Sequence, residues 1–415
     1  MGLSYHGGVL KRYTYRAYPT GEQVHALNRL FGCCRVVFND FISARTHDHR
    51  NNLPFQSTGD LSRKLLTEAK QTSERQWLSE VSSVALQQSL RDADRAYRNF
   101  FDGLSGKRKK RVGAPRFKSR SNRQSARFTQ AARFKVRRVS DRNGRLLLPK
   151  VGEVEFAYSR DLPSAPTSVT IIRHPSGIYE LSFVVDAEPK ELPRTEHIAG
   201  VDVGLTHVAV VTSTSGERWK VDNPRLLRGR ERRLARLQRS LSRKKKGSAN
   251  RNKARVKVAR QHRKVSDARR DFNRKTALSI CRENQVVGVE GLNIAGLSRT
   301  RMAKSIYDAG WAQLARFIGE YRTVFIADRW FPSTRMCSIC GVIGARKPLN
   351  IRVWTCPDCG AHLDRDFNAA VNLMVAAGLA ETGNACGVDV RLRLASAVDG
   401  EAGTRRTALV STSAA

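Results

Sequence analysis

Two cysteine pairs lie near one another late in the chain. Cys337-x2-Cys340 sits in "CSICG" and Cys356-x2-Cys359 in "CPDCG", with residues 341–355 between them. Two residues between thiolates let both sulfurs face one tetrahedral ion at about 2.3 Å, and the paired spacing is that of a zinc site. A glycine follows each pair, Gly341 and Gly360, and relaxes the tight turn after the second sulfur. Four thiolates leave no position open for substrate, so the expected zinc is structural. So short a segment buries too little apolar surface to fold alone, and the metal supplies its folding energy. His362 could chemically replace a cysteine but reads as a surface bystander.

Three acids stand out by their position. Asp202 ends an apolar strand in "GVDVG", Glu290 ends another in "VVGVEGLN", and Asp366 opens a helix in "DRDFNAA" just beyond the second cysteine pair. A carboxylate at a strand end points into the crevice where ligands gather in α/β folds. One that opens a helix gains from the positive end of the dipole. Singly, each has a plain structural alternative: a turn residue, a surface acid and a helix N-cap. Together they make a donor set for magnesium, a hard cation that prefers carboxylate oxygens. Two such ions ~3.5–4 Å apart can activate a water and stabilise the leaving oxygen of a phosphodiester.

The charge balance points the same way. The 415 residues carry 75 Lys and Arg against 37 Asp and Glu, a net +38. Such a surface repels itself unless a polyanion neutralises it, and nucleic acid is the natural one because each phosphate contact releases a counterion. Anionic membrane is the alternative, but no apolar run approaches the ~20 residues of a spanning helix. The opening "MGLSYHGGVLKRYTYRAYPT" has no signal-peptide core, so the expected location is the cytoplasm. Only four of the eight cysteines form Cys-x2-Cys pairs, which suits a reducing compartment better than a disulfide framework.

The elements that must position these groups fall into blocks. A strand in "LKRYTYRAYP" leads into a helix capped by Thr20, with Gln23 closing a capping box. A second helix is expected from about Ser73, carrying Trp77, Val81, Val84, Leu90, Tyr97 and Phe100. Beyond Gly103 cations alternate with Phe117, Phe128 and Phe134, which either stack unpaired bases or, as the favoured reading, pack in a core. Short strands follow in "RLLLP", "GEVEFAY" and the hairpin "TSVTIIRHPSGIYELSFVV". Residues 1–195 therefore read as a β-barrel with a helical bundle inserted at about 21–105. A new block starts with strands in "HIAGVDVGLTHVAVVTSTSGERWKV". It continues as a helical pair turning at "KKKGSAN", where 22 Lys or Arg stand against three acids between Arg225 and Lys275. That surplus calls for an anionic partner lying along it. A β-branched strand, a helix around "YDAGWAQLARFIGEYR", a strand in "TVFIADRWF" and a helix in "DFNAAVNLMVAAGL" complete the second block. Its expected segments are a first α/β part at 196–330 with the basic pair at 224–284, the cysteine module at 331–361 and a last helix at 362–376. A disordered tail is expected at 377–415.

"GVDVG", the strand-final acid of "GVEGLN" and "CSIC…CPDCG…DRDFNAAVN" together resemble the TnpB family of transposon-encoded RNA-guided nucleases, relatives of the compact type V CRISPR effectors. "YPTGEQ", "ARFT", "LSRKKKGSANRNKA" and "YDAGW" fit the same family along nearly the whole chain. The resemblance implies an RNase H-like (RuvC) α/β domain with an inserted zinc ribbon. It places the magnesium-binding catalytic acids, with two ions, at Asp202, Glu290 and Asp366, and ranks Asp364 below Asp366. The zinc ligands fall at Cys337, Cys340, Cys356 and Cys359. It implies a guide RNA derived from the element's end and double-stranded target DNA as partners. Arg232, Arg233, Arg236, Lys244, Lys245, Arg263, Lys264, Lys109, Arg111 and Arg116 are then candidate phosphate contacts. The implied activity is magnesium-dependent cleavage of target DNA that supports transposon retention. The competing readings are a guided DNA-binding repressor that does not cut, which predicts loss of an acid from the triad, and a transposase accessory protein.

Overall fold

A computed structural model of the protein describes residues 9–108, 111–188, 192–348 and 350–385. The candidate contact Lys109 and the part of the expected tail beyond residue 385 lie outside the described residues. The chain divides into two compact units, Met1–Pro189 with Lys244–Arg260, and Lys190–Arg243 with Gln261–Ala415.

The first unit opens with strand β1 (Val9–Tyr18) and helix α1 (Gly21–Arg50). The reciprocal cap expected at Thr20 is present: Gln23 N–H donates to Thr20 Oγ1 at 3.4 Å and Thr20 N–H to Gln23 Oε1 at 3.1 Å. Short helix α2 (Thr58–Ser62) precedes α3 (Ser83–Leu104). The helix expected from Ser73 thus starts ten residues later. The serines of "SERQWLSEVSS" compete with the backbone for hydrogen bonds, and Gln76–Glu80 forms only a 3₁₀ turn. Strands β2 (Gln124–Thr129), β3 (Lys135–Arg138), β4 (Asn143–Leu148), β5 (Gly152–Ala157), β6 (Ser168–Arg173) and β7 (Tyr179–Ala187) join β1 in one antiparallel sheet of order β2-β6-β7-β1-β5-β4-β3. Alternate residues point inward, so Tyr15, Phe128, Leu146, Phe156 and Phe183 share one buried core with α1 and α3. Strand pairing runs from β2 to β3 without joining those two ends. The sheet is therefore curled, and its hydrogen bonds do not close the expected barrel. Phe128 and Phe134 belong to the core, whereas Phe117 is 61% exposed.

The second unit is built on five strands. β8 (Ile198–Asp202), β9 (His207–Ser213) and β10 (Arg218–Asp222) form an antiparallel meander. Helix α4 (Glu231–Ser242) and the long α5 (Ala249–Glu283) follow, with the turn at the expected "KKKGSAN". Residues 244–260 of this stretch group with the first unit. Strand β11 (Val286–Glu290), helices α6 (Ile294–Leu297), α7 (Ala303–Ala309) and α8 (Trp311–Tyr321), and strand β12 (Thr323–Ala327) come next. β11 pairs parallel with both β8 and β12, giving the order β10-β9-β8-β11-β12. The single helix expected around "YDAGWAQLARFIGEYR" is broken at Gly310, whose φ of +72° is left-handed. A short hairpin of β13 (Val353–Thr355) and β14 (His362–Asp364) precedes α9 (Arg365–Ala385). That helix runs nine residues past the expected end at 376. The small residues there looked loose in the sequence, but alanine is the best helix former, and Ala376 and Ala377 are buried.

Two glycines let α9 lie almost on the sheet. A Cβ at Gly200 would stand 1.9 Å from the Ala370 carbonyl oxygen, and one at Gly288 would stand 2.3 Å from that of Leu373. These glycines face each other across the β8–β11 pair.

Candidate metal centres

The sheet register sets the first two carboxylates. Ile198–Val201 of β8 pair with Val286–Val289 of β11, so Asp202 and Glu290 come next, level with each other on adjacent parallel strands. Neighbouring strands lie about 4.8 Å apart. Each acid is two residues beyond its glycine, and residues two apart share a face of the sheet. Both carboxylates therefore leave the sheet on the face that α9 covers. The repeated Gly-Val-acid pattern at 200–202 and 288–290 is a sequence signal for this arrangement, and the motif reading passed over it.

The third carboxylate arrives with the helix. Asp364 Oδ1 accepts from Asp366 N–H at 2.9 Å and from Phe367 N–H at 3.0 Å, which makes Asp364 the N-cap of α9. Capping is thus done by Asp364, and Asp366 does not serve as the N-cap. Lys220 Nζ holds the other Asp364 oxygen at 2.6 Å. Burial works against the Asp364 charge, but the Lys220 hydrogen bond and the two backbone donors outweigh it and keep its pKa below the ordinary carboxylate value. Asp366 instead pairs with Arg352 just before β13, with Nη1 at 3.1 Å from Oδ1 and 3.4 Å from Oδ2.

Asp202 carries the electrostatic signature of the site. Burial, then the charges of Glu290 and Asp366, push its pKa well above the carboxylate range, against a smaller opposing pull from Arg365. Burial also raises Glu290. Acids on two other segments, Glu290 and Asp366, thus raise the pKa of Asp202 at one end of the sheet, a repulsion that a divalent cation would relieve.

The cysteines converge more tightly. The sulfurs of Cys337, Cys340, Cys356 and Cys359 all lie within 4.8 Å of one another, the only such set of three or more ligand atoms found among the described residues. Cys337 and Cys359 sulfurs are 3.8 Å apart, and those of Cys340 and Cys356 3.7 Å. A tetrahedron with metal–sulfur bonds of about 2.3 Å has edges of about 3.8 Å, so the donor set fits zinc. The two knuckles turn alike: Gly341 N–H donates to the Cys337 carbonyl and Gly360 N–H to that of Cys356. Gly341 and Gly360 have φ of +76° and +70°. His362 is exposed and hydrogen-bonds Thr355, outside this set.

Two residues that the motif reading left without a role join the cysteine module to α9. Asn368 and Asn372 sit one turn apart, both 2% exposed. Each Nδ2 donates to the carbonyls of Ser333 and Met336, at 3.2 and 2.8 Å from Asn368 and 2.8 Å for both from Asn372. Asn368 Oδ1 also accepts from Ser338 N–H at 2.8 Å. The segment entering the first knuckle is therefore held by the helix that begins with Asp366. Asparagines in "DFNAAVN", four apart on one helix face, were the available signal.

Three family models match segments of the chain: one described as "Probable transposase" over residues 182–301, a "Helix-turn-helix domain" over 9–53 and a "Cas12f1-like, TNB domain" over 313–373. The second span folds here as strand β1 and the single helix α1. A Streptomyces pristinaespiralis protein named "Putative RNA-guided DNA endonuclease" is 41% identical, covering 96% of this chain and 96% of the relative. The chain belongs to the TnpB family. The Escherichia coli K12 relative "Putative RNA-guided DNA endonuclease InsQ" is 28% identical over 88% of this TnpB-family chain and 92% of its own. Among solved structures, the fold is similar to "Cryo-EM structure of the Cas12f1-sgRNA-target DNA complex", with TM-score 0.52 and 13% identity over 89% of this chain and 99% of that one. It is also similar to "Structure of the mini-RNA-guided endonuclease CRISPR-Cas_phi3", with TM-score 0.54 and 9% identity over 89% and 92% of the two chains.

The candidate phosphate contacts of this TnpB-family chain are spread widely. Arg232, Arg233 and Arg236 are exposed on α4, opposite the buried Leu234. Lys244 and Lys245 lie in the turn, and Lys264 is exposed on α5. Arg263, also on α5, pairs with Asp267 at 3.1 Å. Arg111 and Arg116 are exposed in the segment before β2. No helix among the described residues is long and apolar enough to cross a membrane.

Proposed function

We propose that this chain is an RNA-guided DNA endonuclease encoded by a transposable element, with Asp202, Glu290 and Asp366 as its catalytic acids. The observation that carries the assignment is the register that sets Asp202 and Glu290 level at the ends of adjacent parallel strands, with the charges of Glu290 and Asp366 both raising the Asp202 pKa. Family membership at 41% identity over nearly the full length supports the activity. The strand order, a meander followed by two parallel strands, supports an RNase H-like nuclease fold interrupted by the cysteine module between β12 and α9. The first unit reads as the wedge-like domain of the family, an open antiparallel sheet with α1–α3 inserted between β1 and β2.

The three acids would hold Mg²⁺, two ions in the full reading, and the cation supplies an activated water and charge neutralisation at the phosphodiester. Each residue around them has a task. Asp364 caps α9 and, with Lys220, fixes the helix end that presents Asp366. Arg352 neutralises Asp366 and must leave that carboxylate for it to act as a ligand. Cys337, Cys340, Cys356 and Cys359 would hold a structural Zn²⁺ that shapes the segment gripped by Asn368 and Asn372. The exposed cations of α4 and α5 bind phosphates without reading bases, because guide pairing reads the sequence.

The test uses the purified protein with its copurified RNA. Sequencing the RNA should return the element's end joined to a guide, and matched DNA should be cut in magnesium. Asp202→Ala should abolish cutting and spare target binding. Guided binding with no cutting by the unaltered protein would favour the repressor, and purification without RNA would remove the guided mechanism.

A further inference from the structure

The motif "YDAGW" has no part in the reaction as described so far, yet its side chains reach the loop that follows the first catalytic acid. β8 ends at Asp202 and β9 begins at His207, so only residues 203–206 connect them. Trp311 Nε1–H donates to the Gly204 carbonyl at 3.1 Å, two residues beyond Asp202. The indole is 7% exposed and packs in the core beneath the sheet. From the other side, Asn223 Nδ2 donates to the Leu205 carbonyl at 2.9 Å. The short loop is therefore pinned at consecutive residues.

Trp311 is itself firmly placed. Gly310 makes a left-handed break between α7 and α8, and a Cβ there would stand 2.7 Å from Asn273 Nδ2 on α5. Asp308, on the same turn and 8% exposed, accepts from Leu227 N–H at 2.7 Å and Arg228 N–H at 3.2 Å, just before α4. The turn is thus anchored to α5 and to the root of α4, while Trp311 projects from it to the loop after Asp202.

We infer that Trp311 is a positioning residue for the metal site, its indole N–H fixing the strand exit that aims the Asp202 carboxylate. The inference rests on the reading of Asp202 as a magnesium ligand. A lone hydrogen bond contributes modestly to stability, but small errors in placing a reacting group are costly in rate. Losing this bond should therefore weaken use of the metal more than it weakens the fold.

Trp311→Phe removes the donor and keeps an aromatic ring in the core. Gly204→Ala disturbs the acceptor side, because the added Cβ would meet the His207 carbonyl oxygen at 3.0 Å. The protein–RNA complex is melted across a Mg²⁺ series, and cutting of matched DNA is followed over the same series. Both variants should bind matched DNA normally and, without magnesium, melt somewhat below wild type. The Mg²⁺ midpoint of thermal stabilisation and of cutting should move roughly fivefold higher, with cutting restored at saturating Mg²⁺. Unchanged midpoints in both variants would overturn the inference, as would loss of target binding in step with loss of cutting. If Trp311→Phe does not fold, Gly204→Ala decides alone. Asp202→Ala runs alongside: if it keeps the Mg²⁺ response, the assignment of Asp202 has failed, whereas a lost response beside unchanged positioning variants sinks only the role of Trp311.

Discussion

Gly200→Ala should damage this protein far more than its chemistry suggests. The added methyl would stand 1.9 Å from the Ala370 carbonyl oxygen and 2.4 Å from Met374 N, whereas ordinary contact begins near 3.4 Å. Helix α9 or strand β8 must therefore yield by about 1.5 Å, against backbone atoms that cannot rotate away. Overpacking of this kind costs about 1–3 kcal/mol and sometimes more. The same displacement carries Asp366, one turn before Ala370, away from Asp202 and Glu290, and a 1 Å misplacement can cost about 100-fold in rate. Gly319→Ala is the control: a Cβ there meets only Val324 Cγ2, at 3.7 Å, and alanine favours α8 by about 1 kcal/mol. Thermal melting and single-turnover cutting would be measured for both, with zinc content as a check on the cysteine module. The expected result is a lowered melting temperature and cutting down about 100-fold in Gly200→Ala, with Gly319→Ala at or above wild-type stability. If Gly200→Ala melts and cuts like wild type, the account of how α9 meets the sheet is wrong.

Other outcomes follow from the same geometry. The raised pKa of Asp202 means that the folded chain binds that proton more tightly than the unfolded one, so its contribution favours folding below the ordinary carboxylate range and is lost as pH rises toward the raised value. At neutral pH without magnesium, Asp202→Asn should accordingly raise the melting temperature while abolishing cutting; calorimetry with and without Mg²⁺ tests both halves. Cys356→Ser should lower bound zinc from one per chain to none and open residues 337–363 to protease, since a structural zinc contributes about 10–16 kcal/mol in small modules. Mass spectrometry of the nicked fragments would locate the cleavage. Arg232→Ala with Arg236→Ala should weaken RNA binding for every sequence alike and reduce the salt dependence by about 1 per lost phosphate contact, and an unchanged slope would place both arginines off the nucleic acid.

The local rules were plain in the residues. Thr20 and Gln23 specified their cap, the cysteine spacing specified a tetrahedral sulfur set, and Gly341 and Gly360 specified their turns. What local patterns could not express was which distant segments meet. β1 pairs with β7 some 170 residues away, and nothing in the alternation of "VLKRYTYRAY" names that partner. The helix break at Gly310 was hidden because an amphipathic pattern continues through it; the left-handed φ and the close approach of Asn273 require the glycine only once the chain is folded. In "DRDFN" only the family resemblance ranks Asp366 above Asp364, and the physical difference, the capping hydrogen bonds of Asp364 and the separate partners Lys220 and Arg352, shows only in the fold. The placement of the triad as functional acids came from family resemblance, with the paired Gly-Val-acid strands as its physical counterpart.

The order of these segments along the chain also sets an order in time. Asp202 and Glu290 leave the ribosome well before Asp366, and about 160 residues separate the first acid from the last. At bacterial elongation rates of roughly 5–20 residues per second, that gap lasts on the order of ten to thirty seconds. The arginine-rich helices emerge within that interval, so under the proposed function a nascent chain meets its RNA before its last acid is made. The blade is fitted only after the handle has been gripped.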